Sequence, residues 1–353
     1  RAADNQHDVA IKIISIPTTS QQEVKNFKSY IKRELNILYQ LNHPCIIQLL
    51  GYKTNLTIND QEITSPTYFT KSESQSDLTN SSDTDFEKDY EKLKQNNDQL
   101  LFLNYCPGGN LYKFLVNHYN LFENTLSYWL IIERIVCEIL IAVKYLHQVN
   151  IIHRDIKLEN VLLKYELEDL LEIFHQPNLR FPKPIINLTD FGLSKKLHDA
   201  NELLSTRCGS QDYIPPELLM GVKYNGKLTD SWSIGVLIYS ILENRLPFDV
   251  PPLSAIEHSQ ISPSVIKRKR ANQNPAHRIA IIDWNWWKVN EMLNNNCDPQ
   301  IKRIVSNLKS IVDLLLVRKD KRQTITQIIE SRQFSWIKQC IPNHFDTTDA
   351  TKI

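Results

Sequence analysis

The chain changes character at Pro107-Gly108-Gly109. A proline and two glycines in succession interrupt regular structure and read as a turn or hinge. Ahead of them lie strand-like runs and one helix. Val9–Ile14 is a short β-branched run interrupted by Lys12, and residues 100–103 are strand-like. Residues 22–41 read as a helix, with apolar Phe27, Ile31, Leu38 and Leu41 recurring at helical spacing and Leu35 beside them. Behind the break the pattern is mostly helical: residues 126–147, residues 230–243 and the stretch onward to about Cys340. This order predicts an α+β protein of two unequal lobes, the first small and rich in strands, the second larger and helical.

With 353 residues, each lobe can hold a real core, and 42% hydrophobic with 23% charged residues is a globular balance. The net charge of +1 supplies no global field for nucleic acid or an anionic membrane, so neither is an expected partner. The most apolar stretch, residues 128–146, carries Glu133, Arg134, Glu138 and Lys144, which excludes a transmembrane span. No signal-peptide pattern opens the chain. The 6 cysteines form no Cys-x-x-Cys pair, so neither zinc nor a disulfide framework is expected, and a reducing, cytoplasmic setting is.

Three stretches interrupt the pattern. Residues 54–98 hold 13 Ser/Thr and 10 Asp/Glu and read as a disordered acidic insertion. Residues 164–184, ending in Pro177, Pro182 and Pro184, read as a second insertion between short strand-like runs. Residues 250–277 form a third, Pro/Ser-rich loop containing Lys267-Arg268-Lys269-Arg270. That basic run leaves two readings open, a solvated loop face and a nuclear-localisation signal. The expected layout is a small lobe over 1–104, a hinge over 105–110, a large lobe over 111–340 and a tail over 341–353.

Glu34 lies inside the apolar stripe of the first helix, between Ile31 and Leu38. A carboxylate there needs a partner, because an unpaired buried charge is costly. Residues 153–160 read His-Arg-Asp-Ile-Lys-Leu-Glu-Asn, residues 190–192 Asp-Phe-Gly, and residues 215–217 Pro-Pro-Glu. With Val9-Ala10-Ile11-Lys12 upstream, these resemble the protein-kinase signature set in the family's order.

The resemblance runs from about residue 8 to about 340. It implies transfer of the γ-phosphate of ATP to protein hydroxyls, with Mg²⁺ as cofactor. Phosphoryl transfer through a loose transition state asks mainly for positioning and charge neutralisation. On this resemblance Lys12 holds the α- and β-phosphates and pairs with Glu34, which answers the cost of that carboxylate. Leu103, Tyr105 and Cys106 line the nucleotide site at the hinge. Asp155 is the base that accepts the substrate hydroxyl proton, and Lys157 neutralises the γ-phosphate. Asn160 and Asp190 hold Mg²⁺, a hard ion suited to oxygen ligands and retained waters. His153 and Phe191 pack in an apolar stack that joins the lobes, with Leu38.

Lys157 marks the serine/threonine type. Residues 205–213 resemble the activation segment of the calcium/calmodulin-kinase-like and AMP-activated-kinase-like group, and the chain most resembles a fungal branch of it. Thr206 stands where that group is phosphorylated by an upstream kinase, and Arg154 would pair with the phosphate. Ser210 would sit against the phosphoacceptor. Glu159 matches a contact to arginine upstream of the target residue, whereas Asn110 replaces an acidic residue frequent after the hinge glycines. Glu217 is expected to pair with Arg322, and Asp230 to support the catalytic loop from a helix start.

The resemblance fails at one place. The chain has 8 glycines, all at or after Gly51, and no Gly-x-Gly-x-x-Gly precedes Lys12. Residues 1–8 resemble the end of the second strand, so the family's glycine loop is expected just upstream. A pseudokinase-like scaffold is the alternative reading, opposed by the presence of Lys12, Glu34, Asp155, Lys157, Asn160 and Asp190. A lipid or small-molecule kinase is disfavoured by Pro-Pro-Glu, Asp230 and the activation segment.

Overall fold

The computed structural model describes residues 8–15, 20–53, 67–68, 99–175, 181–252, 274–295 and 297–346. The strand expected over residues 1–8, apart from its last residue, lies outside them, as do Lys267–Arg270. Two compact units emerge: residues 1–42 with 47–106, and residues 43–46 with 107–353.

Among the described residues, the first unit is a four-stranded antiparallel sheet and one helix. Strands β1 (Val9–Ile14), β2 (Leu49–Lys53), β3 (Thr67–Tyr68) and β4 (Gln99–Asn104) stand in the order β1-β4-β2-β3. β4 is central, and its Leu100, Leu101 and Leu103 are buried, as interior strand residues must be to keep the sheet's apolar face from water. β1 runs antiparallel to it, pairing Val9 with Asn104 and Ile14 with Gln99. The helix α1 (Gln21–Gln40) buries Ile31, Leu35 and Leu38 on one stripe, and Glu34 lies on that stripe at 2% exposure.

β2 was not legible in the sequence. It is short, contains Gly51 and is bulged between Leu49 and Gly51, so no period-two pattern survives. β3 corrects the reading of residues 54–98 as wholly disordered: Thr67 and Tyr68 pair with Tyr52 and Gly51. Two β-formers completing an edge outweigh the polar composition around them.

The second unit is built on the helix Leu126–Gln148, buried on every side from Ile131 to His147. Its charged residues are therefore held by partners rather than by water. Arg134 Nε pairs with Glu138 Oε1 at 2.5 Å, and Glu138 Oε2 accepts from the backbone N–H groups of Ile185 and Ile186 at 2.9 and 3.0 Å. Arg134 also donates to the carbonyls of Cys340, Phe181 and Lys183. Lys144 pairs with Asp346 at 2.6 Å, and Glu133 with Arg303 at 3.4 Å. Burial is the largest influence on Glu138 and raises its pKa, partly offset by Arg134.

Around this helix stand Gly226–Glu243 and Pro299–Leu315, which pack on each other where Gly235 faces Leu315 and Leu316. Helix Leu111–Phe122, unread in the sequence, opens at Asn110, whose side chain accepts from the Lys113 N–H at 2.9 Å.

Three expected irregular stretches prove partly ordered. Residues 164–184 carry a helix, Leu167–Ile173, which buries Leu167 and Leu170, two apolar residues at helical spacing. Residues 250–277 end inside a helix, Pro275–Ile281, which begins with proline at its first turn and Asn274 as cap. The expected tail is packed through Asp346. Ile341 and Phe345 are buried, the His43 ring donates from Nε2 to the Phe345 carbonyl at 3.1 Å, and the Arg134 guanidinium lies 5.3 Å over the Phe345 ring.

Candidate active site

Within the second unit, the strand Ile151–Ile152 leads into the loop 153–160, which ends in a short 3-10 turn, Leu158–Asn160, and the strand Val161–Leu163. That strand pairs with Ile186–Leu188, Val161 opposite Leu188. One step further along the ribbon, the Thr189 N–H donates to the Asn160 carbonyl at 2.9 Å. The ribbon thus brings Asn160 and the Asp190 region to the same end, despite the long connection between them.

The loop is shaped by Asp230, fully buried in the second turn of its helix; the helix starts earlier than expected, at Gly226, and its cap is Asn225 rather than Asp230. The Asp230 carboxylate accepts the His153 N–H at 3.0 Å, the Arg154 N–H at 2.9 Å and His147 Nε2 at 2.9 Å. Arg154 sits at φ 67 and Asp190 at φ 66, left-handed conformations that cost a side-chain-bearing residue about 1–3 kcal/mol and persist only where surroundings fix them. Arg154 is fixed by Asp230 and by its own Nε, which donates to the Leu193 carbonyl at 2.6 Å.

Asp155, 7% exposed, is the focus of the loop. Its Oδ1 accepts both the Ser210 N–H at 3.0 Å and the Ser210 hydroxyl at 2.9 Å. Its Oδ2 lies 3.0 Å from Lys157 Nζ and accepts from Asn160 Nδ2 at 3.1 Å. Lys157 Nζ also donates to Ser210 Oγ at 2.9 Å, closing a ring of three side chains. Burial alone would raise the Asp155 pKa, but the hydrogen bonds from Lys157 and Ser210 outweigh it and hold the carboxyl below its ordinary value. The group is therefore an anion and an acceptor.

The Asn160 amide nitrogen is committed to Asp155, donating to its backbone carbonyl at 2.8 Å as well. That leaves the amide oxygen as the face able to meet a cation. With the Asp190 carboxylate this is a two-oxygen donor set, which fits a hard divalent ion that keeps waters and shares phosphate oxygens. Among the described residues, no cluster of three or more His, Cys, Asp or Glu is arranged around a metal position.

His153 is fully buried, and burial lowers its pKa. Nδ1 accepts the Asp155 N–H at 3.3 Å and Nε2 faces the Thr189 carbonyl at 3.1 Å, a neutral ring protonated on Nε2. It stands 4.9 Å from the Phe191 ring.

Residues 205–213 run back along this loop. Gly209 adopts φ +102, and a Cβ there would stand 2.7 Å from the Arg154 carbonyl oxygen. Only glycine permits the approach that places Ser210 on Asp155. Thr206 is exposed, and its carbonyl accepts from the Tyr224 hydroxyl at 2.8 Å. Glu159 is exposed on the 3-10 turn. Glu217 is buried and paired with Arg322 through two contacts, 2.6 and 3.2 Å.

In the first unit, Lys12 on β1 points its Nζ at Glu34 Oε1 on α1, 2.6 Å away. Leu103 is buried on β4, Tyr105 is half exposed and Cys106 is buried.

Ser210, expected against the acceptor residue, is hydrogen-bonded to Asp155 through its N–H and its hydroxyl. The roles of His147 and Ser194, whose hydroxyl donates to the His153 carbonyl at 3.2 Å, were not foreseen. A histidine at the end of an apolar helix and a serine after Asp-Phe-Gly carry no local signal of such contacts.

Comparison with known proteins agrees with this geometry. The protein kinase domain profile matches residues 1–334. Serine/threonine-protein kinase PRR1 of Saccharomyces cerevisiae is 37% identical over 311 residues, covering 88% of this chain and 50% of the yeast protein. Serine/threonine-protein kinase ppk27 of Schizosaccharomyces pombe is 29% identical over 329 residues, covering 91% of this chain and 64% of its own length. Sucrose non-fermenting protein kinase 1 of Fusarium virguliforme is 33% identical over 206 residues, covering 55% of this chain and 26% of the relative. The chain therefore spans less than two thirds of each of these relatives. A domain profile matched along nearly the whole chain, together with the Asp155 loop and the Lys12–Glu34 pair, places the chain in the protein kinase domain family, among the serine/threonine kinases.

Proposed function

We propose that the chain transfers the γ-phosphate of ATP to serine or threonine hydroxyls of protein substrates. The observation that carries this reading is Asp155, an anion held by Lys157, Ser210 and Asn160. Asp155 accepts the hydroxyl proton as the acceptor oxygen attacks phosphorus. Lys157 neutralises the γ-phosphate, and Lys12, oriented by Glu34, holds the α- and β-phosphates. Leu103, Tyr105 and Cys106 contact the base. Asn160 and Asp190 would hold Mg²⁺, which when bound neutralises charge on the phosphate oxygens.

Phosphorylation of Thr206 by an upstream kinase regulates the activity through Arg154, and Glu159 favours substrates basic upstream of the target. The test is a Mg-ATP transfer assay on a Ser/Thr peptide library. Asp155→Asn should lower turnover by about 10²–10⁴-fold with folding intact, the usual range for a general base. Equal turnover in wild type and variant, or none in wild type, would reject the enzyme reading in favour of a scaffold.

A further inference from the structure

Residues 43–46 lie between stretches of the first unit but belong to the second. There they meet the short ribbon that leads to Asp190. The strand Ile186–Leu188 has 3 residues and pairs with Val161–Leu163 along one edge. At its other edge the Leu188 N–H donates to the Cys45 carbonyl at 2.8 Å, and Ile46 bridges Leu188 in parallel. Two short strands alone are marginal, so this second edge bears on where Asp190 stands. His43 heads the segment. Its Nδ1 accepts the Cys45 N–H at 3.1 Å, and its Nε2 donates to the Phe345 carbonyl at 3.1 Å. Phe345 is fixed in turn: its side chain is buried, with the Arg134 guanidinium 5.3 Å from the ring centre, and Asp346 pairs with Lys144 at 2.6 Å. The bond between His43 and Phe345 is buried, so losing it strands a donor and an acceptor that water cannot serve.

We propose that residues 341–346 are a positioning strap: through the Phe345 carbonyl and His43 they seat residues 43–46 on the Ile186–Leu188 edge, and so set the affinity of Asp190 for its divalent ion. The inference rests on the reading of Asp190 as an ion-holding residue and adds to it a segment far along the chain. The contacts run from Phe345 to His43, Cys45, Leu188 and Thr189. Thr189 is tied on both sides: its N–H donates to the Asn160 carbonyl at 2.9 Å, and its carbonyl faces His153 Nε2 at 3.1 Å. A shift of Leu188 therefore moves the end of the ribbon where Asn160 and the Asp190 region meet. Residues 44 and 45 have side-chain ties of their own, Cys45 Sγ to Glu138 Oε2 at 3.7 Å and Lys164 Nζ to the Pro44 carbonyl at 3.5 Å. The first comes from a weak donor and the second is long, so the strap is the firmer hold. His43 and Phe345 are positioning residues, acting through the backbone of Cys45 and Leu188.

The test uses the full chain and two readings. One is hydrogen exchange over residues 185–190 without metal or nucleotide, followed by mass spectrometry. The other is the free Mg²⁺ needed for half-maximal turnover at saturating ATP. In Phe345→Ala, exchange over 185–190 should quicken about tenfold. The half-saturating Mg²⁺ should rise several-fold, with a smaller change in turnover at saturating Mg²⁺. His43→Ala, which keeps the strap's own side chains, should do the same. His43→Gln, which can still donate to the Phe345 carbonyl, should restore both readings. Gly235→Ala crowds Leu315 elsewhere in the same unit and is the control for lowered stability; it should move neither reading. Exchange at the wild-type rate in Phe345→Ala and His43→Ala overturns the proposal. So does equal quickening in Gly235→Ala, or quickened exchange with an unchanged Mg²⁺ requirement. Wild type without turnover at any Mg²⁺ concentration rejects the kinase reading instead, and exchange then still decides whether the strap holds the ribbon.

Discussion

Acid should loosen the clip between residues 43–46 and the C-terminal segment, and His43 sets the window. The ring is buried, Nδ1 accepts the Cys45 N–H at 3.1 Å, and Nε2 donates to the Phe345 carbonyl. A second ring proton would have to point at that N–H. Burial is the largest influence and lowers the His43 pKa from 6.5 to about 4, against the Phe345 hydrogen bond and the Asp346 charge, which raise it. The unfolded chain therefore takes up a proton on this ring as pH falls through 6.5, while the folded chain waits until about 4. The stability at stake is fully present above 6.5 and lost as pH falls toward 4. That interval corresponds to about 3 kcal/mol at full extent, of which about 2 kcal/mol is lost between about pH 7 and about pH 5. Other groups titrate too, so the measurement is a difference: urea unfolding of wild type and His43→Gln at both pH values. Glutamine can still donate to the Phe345 carbonyl but cannot titrate. Wild type should lose about 2 kcal/mol more than the variant on acidification. An equal loss in both proteins would show that the ring is not held neutral, and the reasoning would fail.

Arg322→Met strands the Glu217 carboxylate without its bidentate partner, and urea unfolding should show a loss of about 3–5 kcal/mol. Gly209→Ala forces a methyl against the Arg154 carbonyl and pulls Ser210 off Asp155; turnover should collapse while the circular dichroism spectrum and melting temperature change little. Gly235→Ala puts a methyl 2.9 Å from the Leu315 side chain between two packed helices, and should lower stability by about 1–3 kcal/mol through overpacking.

What the sequence disclosed well was chemistry carried on short segments. Lys12 and the 153–160 loop are recognisable because each role needs a particular side chain at a fixed offset. Glu34 was legible for a different reason, as a charge in an apolar stripe that demanded a partner. The helix Leu167–Ile173 had a signal too, leucines spaced three apart, but acidic neighbours and flanking prolines masked it. The charges at Arg134 and Glu138 excluded a membrane span, but their pairing was not read, and their further partners, Cys340, Phe181 and Ile185, are distant in sequence. The Ser210–Asp155 contact was not legible because it depends on the backbone turn at Gly209, a matter of conformation rather than residue type.

The charges of the central helix also bear on how the molecule is made. Chains emerge from the ribosome amino end first, and domains fold as units. Glu133 waits for Arg303, Arg134 for the Cys340 carbonyl, and Lys144 for Asp346. Until those residues have been synthesised, burying this helix would strand ionised groups in an apolar interior. The large unit therefore gains little from settling early. Its core is completed by its last described residues, so a nascent chain arrested before Cys340 should remain open to chaperones and proteases even though the Asp155 loop is already made.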